Sequence, residues 1–171
     1  MRAEELGDSS VLLARQSSAF KLRTAHSQTV VCHFEKNMNE PIIIEELGKI
    51  WGRDAIFLDG IEFDGTNSVK LIGDFNGSLC ENVKSEKWIS YELTFKGILE
   101  FKITELDFFS NTEYSSSFEK VIDSDKLNGF VKSSQNFKLK DSHEHYIFHT
   151  YDDVIELVAN EFELKLKPKK E

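Results

Sequence analysis

Histidines and carboxylates crowd one short segment of the chain, and these residue types bind metals or transfer protons. The segment contains the following such residues: Asp141, His143, Glu144, His145, His149, Asp152 and Asp153. On a strand, His143 and His145 would project from the same face, roughly 7 Å apart. His149 would lie roughly 13 Å further along the same strand. One metal ion could therefore be held by His143, His145 and a carboxylate from elsewhere, but by all three histidines only if the chain bends.

A simpler interpretation is that His143, Glu144 and His145 form the polar end of a strand. An HxH pair recurs by chance, whereas a specific metal site needs a larger set of spaced ligands. We therefore favour the polar strand end and predict no cofactor. A small metal-binding or hydrolytic module that uses His143, His145 and nearby carboxylates is kept as an alternative function.

Motifs for other chemistries are missing from the sequence. There is no GxSxG nucleophile motif and no glycine pattern that cradles phosphate. Cys32 and Cys80 lie outside any CxxC motif, which predicts free thiols in a reducing compartment rather than a disulfide framework. With 30 acidic residues, many carboxylate pairs will be close, and the sequence selects none of them as an acid–base pair. The prediction leans toward a protein that is not an enzyme.

The elements that must position these residues are strands. Residues 89–96 alternate apolar with polar side chains, and the same parity continues from Leu99 to Thr104 after Gly97. Successive side chains of a strand point to opposite faces, so the pattern predicts strands with one buried face and one wet face. Asp59-Gly60, Asp64-Gly65 and Asn76-Gly77 predict tight turns between short strands.

This succession of short strands and turns predicts a mainly β fold, an antiparallel sandwich or open barrel with one short helix. We place the helix within residues 114–129, where Phe118, Val121 and Ile122 have helical spacing. The alternation at 137–140 predicts a further strand. Residues 145–159 are predicted to form a hairpin followed by a last strand at 162–166. The alternative is an α+β fold with a C-terminal helix at 151–161.

The chain divides into three parts by composition. Residues 1–37 are predicted to be an N-terminal appendage that could be loosely ordered, and residues 38–167 to be a single β-rich domain. Residues 168–171 are predicted to be a frayed tail. No stretch is long and apolar enough for a membrane helix, and the N-terminus does not look like a secretory signal. We therefore predict a cytoplasmic, bacterial-type protein without a membrane partner.

Charge indicates the class of partner. The chain carries a net charge of −9, and residues 38–164 hold 12 basic and 25 acidic residues, a net −13. Such a domain repels phosphate backbones, which argues against nucleic acid, and it attracts a basic protein. The simpler interpretation, which we favour over charge steering, is that acidity keeps the protein soluble.

Aromatic residues could form the contact surface, because Trp and Tyr dominate binding hot spots. The candidates are Trp51, Trp88, Tyr91, Tyr114, Tyr146 and Tyr151. Trp88 is the best exposed anchor, since it falls on the polar parity just before a strand. Glu92 and Glu100 share that parity and complete the predicted partner-binding set.

The favoured hypothesis is a non-enzymatic, acidic protein-binding domain. It would act as an inhibitor or immunity-type protein that captures a basic partner such as a nuclease. A second alternative is a structural subunit of a homo-oligomer, joined through an uncovered sheet edge.

Overall fold

A computed structural model describes residues 38–84, 88–110 and 114–167 of the chain. Within these ranges the chain forms nine strands and one α-helix, joined by short loops and single 3-10 turns. The elements are β1 (Met38–Pro41), β2 (Ile56–Phe63), β3 (Ser68–Asn76), β4 (Trp88–Lys96), β5 (Glu100–Glu105), β6 (Phe118–Ile122), α1 (Asp125–Val131), β7 (Glu144–His149), β8 (Asp153–Ala159) and β9 (Glu161–Lys167). All of them belong to one compact unit.

The strands form two antiparallel sheets. The four-stranded sheet has the order β2-β3-β4-β9, and the five-stranded sheet has the order β1-β6-β7-β8-β5. Aromatic side chains from the two sheets meet between them and build the core. Inter-sheet pairs include Phe118–Phe162 at 5.2 Å, Phe95–Tyr146 at 5.4 Å and Tyr91–Phe148 at 6.0 Å between ring centroids. The predicted mainly β, sandwich-like fold with a short helix is confirmed.

The four-stranded sheet follows the alternation of the sequence closely. Tyr91, Leu93 and Phe95 of β4 are at most 1% exposed, while the residues between them face outward. Strand β5 does not follow the alternation of the sequence, because β5 lies at the edge of the other sheet. There Ile103 is 43% exposed, whereas the Thr104 hydroxyl on the opposite face is buried. The expectation that Ile103 is buried and Thr104 solvated is therefore wrong.

Of the predicted turns, Asp64-Gly65 joins β2 to β3, and Gly65 has the positive φ of 73° that such a turn needs. The hairpin predicted at Asp59-Gly60 is wrong, because β2 runs through it as one strand with a bulge between Leu58 and Gly60. Next to the bulge the backbones of β2 and β3 come unusually close. A Cβ atom on Gly73 would lie 1.9 Å from the carbonyl oxygen of Phe57.

The short helix exists, but it begins later than its predicted pattern. Phe118–Ile122 is a strand, and its alternation is hidden because both faces are covered, with Phe118 and Glu119 fully buried. The helix starts after Ser124, whose hydroxyl accepts a hydrogen bond of 3.2 Å from the backbone N–H of Leu127. The strand predicted at 137–140 is wrong, since Asn136–Lys138 is a 3-10 turn.

At the C-terminus, β7, β8 and β9 confirm the predicted hairpin and last strand. The alternative helix at 151–161 is therefore wrong, because its apolar residues pack in β8 with both faces covered. The predicted appendage 1–37 and tail 168–171 lie outside the described residues. None of the described helices has the length and apolar character needed to cross a membrane.

Candidate functional site

Three aromatic side chains form a row on the surface, where the β7–β8 turn meets β2. The ring of Tyr151 stacks on Phe57 at 5.1 Å between centroids, with an interplanar angle of 14°. Trp88 packs edge-on against Phe57, with 5.0 Å between the ring centroids. Tyr151 is 39% exposed and Trp88 is 41% exposed. We call Phe57, Trp88 and Tyr151 the aromatic row.

Regular backbone structure holds each member of the row in place. Phe57 lies in β2 opposite Asp74, on the outer face of the four-stranded sheet, and Trp88 opens β4 on that same face. The backbone N–H of Tyr151 donates to the carbonyl of Ile56 over 2.8 Å. The turn that carries Tyr151 is further closed by the Thr150 hydroxyl, which bonds the backbone of Asp153. Backbone hydrogen bonds of β2, β4 and the β7–β8 turn therefore support the row.

Negative charge surrounds the row. Asp59 and Asp74 flank Phe57 and add to the effect of burial in raising the pKa of Tyr91, whose hydroxyl donates to the Phe57 carbonyl over 3.1 Å. Asp152 follows Tyr151 directly in the turn and is exposed. Within the described ranges, none of these three aspartates forms an ion pair. We call Asp59, Asp74 and Asp152 the acidic rim.

One cation already touches the row. The guanidinium carbon of Arg53 lies 5.5 Å from the centroid of the Tyr151 ring, a cation–π distance. Arg53 belongs to the short 3-10 turn that precedes β2. An arginine from this chain thus shows the geometry in which a cation packs on this surface.

The structure separates the three residues that the sequence nominated for partner binding. Trp88 and Glu92 share the outer face of the four-stranded sheet, but Glu100 begins β5 in the other sheet. Glu92 pairs with Lys167 of β9, and this contact lowers the pKa of its carboxyl. Glu100 pairs with Lys126 of α1. Both carboxylates are thus already neutralised by lysines.

Sequence reasoning did not select Phe57 or Arg53, and Tyr151 was only one of six aromatic candidates. The row joins a turn to a strand almost a hundred residues earlier in the chain, so no local spacing reveals it. The one available signal was Tyr151 itself, a large aromatic residue directly before an Asp-Asp turn.

His143 and His145 are placed with different partners. The Nδ1 atom of His143 accepts from the backbone N–H of Lys140 over 2.8 Å, and its Nε2 lies 3.0 Å from the carbonyl oxygen of Gly97. Both ring nitrogens of His143 are therefore used in tying loops together. His145 instead bonds Ser124 through Nδ1. In the part of the chain that the structure describes, no three His, Cys, Asp or Glu side chains are grouped to hold one metal ion.

Two groups that could act as nucleophiles are poorly placed for it. Ser124, His145 and Glu156 lie in series, with 2.9 Å from Ser124 Oγ to His145 Nδ1 and 3.8 Å from His145 Nε2 to Glu156 Oε1. Ser124, however, is 4% exposed and its oxygen caps α1. Burial raises the pKa of the Cys80 thiol to about 11, which keeps it protonated.

Comparison with family models, curated proteins and solved structures finds no match for this chain. What the domain binds must therefore be inferred from its own surface chemistry. The aromatic row with its acidic rim combines exposed aromatic rings with nearby carboxylates.

Proposed function

We propose that this domain is a non-enzymatic binding module that captures a basic protein through the aromatic row and the acidic rim. The observation that carries the proposal is the exposure of Trp88 and Tyr151 in a row whose members contact one another through Phe57. Large aromatic side chains in such positions dominate the energy of protein interfaces. An inhibitor or immunity-type role is part of the same proposal.

Pre-organisation favours affinity at this surface. Phe57 already contacts both Trp88 and Tyr151, so a partner need not pay to order these side chains again. Each has few rotatable bonds and presents a large apolar area to an incoming chain. We expect truncation of Trp88 to cost about 2 kcal/mol of binding free energy, which corresponds to roughly 30-fold in Kd.

Charge favours a basic partner over a neutral one. Among the described residues, the carboxylates of the acidic rim have no lysine partner, unlike Glu92 and Glu100, so an incoming Lys or Arg need not displace an ion pair formed by these residues. The net −13 of residues 38–164 adds long-range attraction that accelerates encounter. As part of the same proposal, the encounter takes place in the cytoplasm of a bacterial-type cell.

A pull-down from host extract with matched variants tests the proposal. Wild type and the control Phe137→Ala, which removes an aromatic residue that is 73% exposed elsewhere on the surface, should recover the same basic protein at low salt. Trp88→Ala and Tyr151→Ala should each lose most of it, and high salt should release it from wild type. Calorimetry with the recovered protein then gives the change in Kd.

Two results would contradict the proposal. One is a recovered protein whose binding is indifferent to both aromatic substitutions. The other is an interaction that high salt leaves unchanged. Measuring the mass of the purified domain alone identifies the case in which the captured protein is a second copy of this chain.

A further inference from the structure

One segment of this acidic domain carries the opposite charge. Between Lys126 and Lys140 the sequence contains four lysines and neither aspartate nor glutamate, whereas residues 38–164 together carry a net −13. The segment runs from α1 through the turn after it to the 3-10 turn Asn136–Lys138. Positive potential at one place on an acidic domain attracts carboxylates that the rest of the surface repels.

Three of these four lysines carry charge that no carboxylate neutralises in the part of the chain that the structure describes. Lys132, Lys138 and Lys140 are exposed, and none of them forms an ion pair with a described residue. Each lysine within a described strand, by contrast, has a carboxylate partner. The three lysines are therefore available to pair with the carboxylates of another molecule.

The same segment forms a groove of about 330 Å³ with an apolar wall. Leu127 and Val131 of α1 line this wall together with Leu139, which follows the 3-10 turn. Val131 is 56% exposed, and the two leucines are half-buried. Such a wall gains free energy when another apolar group covers it. We call this groove, with Lys132, Lys138 and Lys140, the lysine groove.

Hydrogen bonds link the elements that form the lysine groove. The side-chain amide of Asn136 donates to the backbone carbonyl of Val131 over 3.4 Å, which joins the 3-10 turn to the end of α1. The Nδ1 atom of His143 accepts from the backbone N–H of Lys140 over 2.8 Å. Asn136, Lys140 and His143 all line the groove, so its polar lining residues also connect its walls.

Positive charge predominates at the lysine groove. Lys140 is itself one of the lining residues. Lys132 and Lys138 each adjoin an apolar lining residue in the sequence, so their Cα atoms lie about 3.8 Å from that of a lining residue. Asp141 also lines the groove, and the three lysines outweigh its charge. The groove therefore fits a ligand that is apolar at one point and anionic around it.

A protein segment matches this combination better than a membrane surface does. The apolar residues line a concave groove, which receives a side chain, whereas a flat bilayer takes up residues that protrude. A bilayer with anionic lipids would also repel the net −13 of residues 38–164. A free inorganic anion would pair with the lysines but leave the apolar wall uncovered.

We propose that the lysine groove binds an acidic segment of a second protein. An apolar side chain of that segment packs against the leucine and valine wall, and its carboxylates pair with Lys132, Lys138 and Lys140. None of these residues belongs to the aromatic row or the acidic rim. This site is therefore additional to the one for a basic partner, and its test does not depend on that partner.

Three short peptides of one design test the proposal, each acetylated at its N-terminus and amidated at its C-terminus. EDELDED is acidic with a central leucine, EDESDED replaces that leucine by serine, and KRKLKRK reverses the charge. Each is titrated into the isotope-labelled full chain while amide NMR signals are followed. We expect EDELDED to bind saturably, with shifts concentrated at residues 126–143. EDESDED should bind about ten-fold more weakly, and KRKLKRK should leave the signals of the lysine groove unchanged.

One variant and its matched control test the apolar wall. Val131→Ser should weaken the binding of EDELDED about five-fold, because the incoming leucine loses part of its apolar contact. Ile43→Ser removes an apolar side chain of similar exposure, 58%, that does not line the groove. This control should leave the affinity for EDELDED unchanged.

Two double variants test the charge. Lys132→Gln with Lys138→Gln should weaken the binding of EDELDED about five-fold and reduce its salt dependence, since two exposed ion pairs are lost. Lys49→Gln with Lys84→Gln makes the same change in net charge at residues that do not line the groove. This control should retain the wild-type affinity.

The proposal is overturned if EDELDED does not saturate, or if EDESDED binds as tightly as EDELDED. It is equally overturned if Val131→Ser or the Lys132 and Lys138 double variant binds EDELDED like the wild type. Sedimentation with phosphatidylcholine vesicles, with and without phosphatidylserine, covers the remaining case. Binding to the anionic vesicles without saturable binding of EDELDED would overturn the proposal and identify a membrane-binding surface instead.

Discussion

Replacing His149 by Phe should make the stability of this domain much less sensitive to acid. His149 is 4% exposed, with the ring of Tyr114 stacked on it at 4.4 Å and Phe109 edge-on at 5.7 Å. Burial lowers the pKa of this imidazole to about 4, although Glu119 and Glu156 both favour its protonated form. The folded domain therefore holds His149 neutral at pH values where the unfolded chain protonates it.

The size and sign of the effect follow from this pKa. The ordinary value is 6.5, and each unit of difference between the folded and unfolded pKa is worth about 1.36 kcal/mol. The His149 contribution is complete above pH 6.5 and is lost as the pH falls toward 4. By pH 4 it should have lowered the free energy of unfolding by about 3 kcal/mol. Phe has a similar shape and no proton to gain, so the variant should not show this loss.

Urea unfolding followed by tryptophan fluorescence, repeated from pH 8 to pH 4, measures the difference between the two proteins. The wild-type free energy of unfolding should fall by about 3 kcal/mol more than that of His149→Phe over this range. An NMR titration of the His149 ring should give a midpoint near 4. The reasoning is refuted if both proteins lose stability in parallel, or if the ring titrates near 6.5.

Three further substitutions test other parts of the fold. Glu156→Gln should change the pH dependence of stability in a more acidic range, because His145, Lys102 and Lys126 hold the pKa of Glu156 at about 2. The stability that the Glu156 carboxylate adds is complete above pH 4.5 and is lost toward pH 2. In the same urea series, the free energy of unfolding of the variant should therefore fall less over this range than that of the wild type. Glu119→Ala should lower the free energy of unfolding by about 3–5 kcal/mol, since this fully buried carboxylate accepts four hydrogen bonds. Glu119→Gln should lower the free energy of unfolding clearly less, and chemical unfolding compares the two variants. Gly73→Ala should lower the thermal midpoint more than Gly129→Ala, because the added methyl group collides with backbone at the first position and meets open space at the second.

The four-stranded sheet could be predicted because its outer face is wet. In β4 the outward residues that alternate with Tyr91, Leu93 and Phe95 are polar, so these three stand out as a period of two. Strand β6 could not be predicted in the same way. Phe118 faces the core, and Glu119 on the other face is covered by the loop before it, so both are buried and the periodicity is lost. Burial on both faces removes the contrast on which such a prediction depends.

At the candidate site, local sequence predicted the exposure of a side chain but not the pairing of charges. Trp88 was selected correctly as an exposed aromatic residue, since its place among polar neighbours depends only on its own strand. Glu92 and Glu100 were chosen by charge, but Lys167 and Lys126 reach them from distant elements. Such pairing depends on cross-strand register and helix docking, which local spacing does not encode. Net charge therefore does not identify the carboxylates that are left without a lysine partner among the described residues.

The two outer faces of the sandwich explain where the polar chemistry of the chain lies. On the four-stranded sheet the outer face carries lysine–glutamate pairs in water, where each pair contributes little. On the five-stranded sheet, segment 106–109 and the Tyr114 ring cover the outer face of β7 and β8. His145 and His149 point outward from β7 as the alternation requires, but this cover removes them from water. A histidine pattern typical of a wet strand end thus becomes a pair of buried side chains, and burial lowers the pKa of His149.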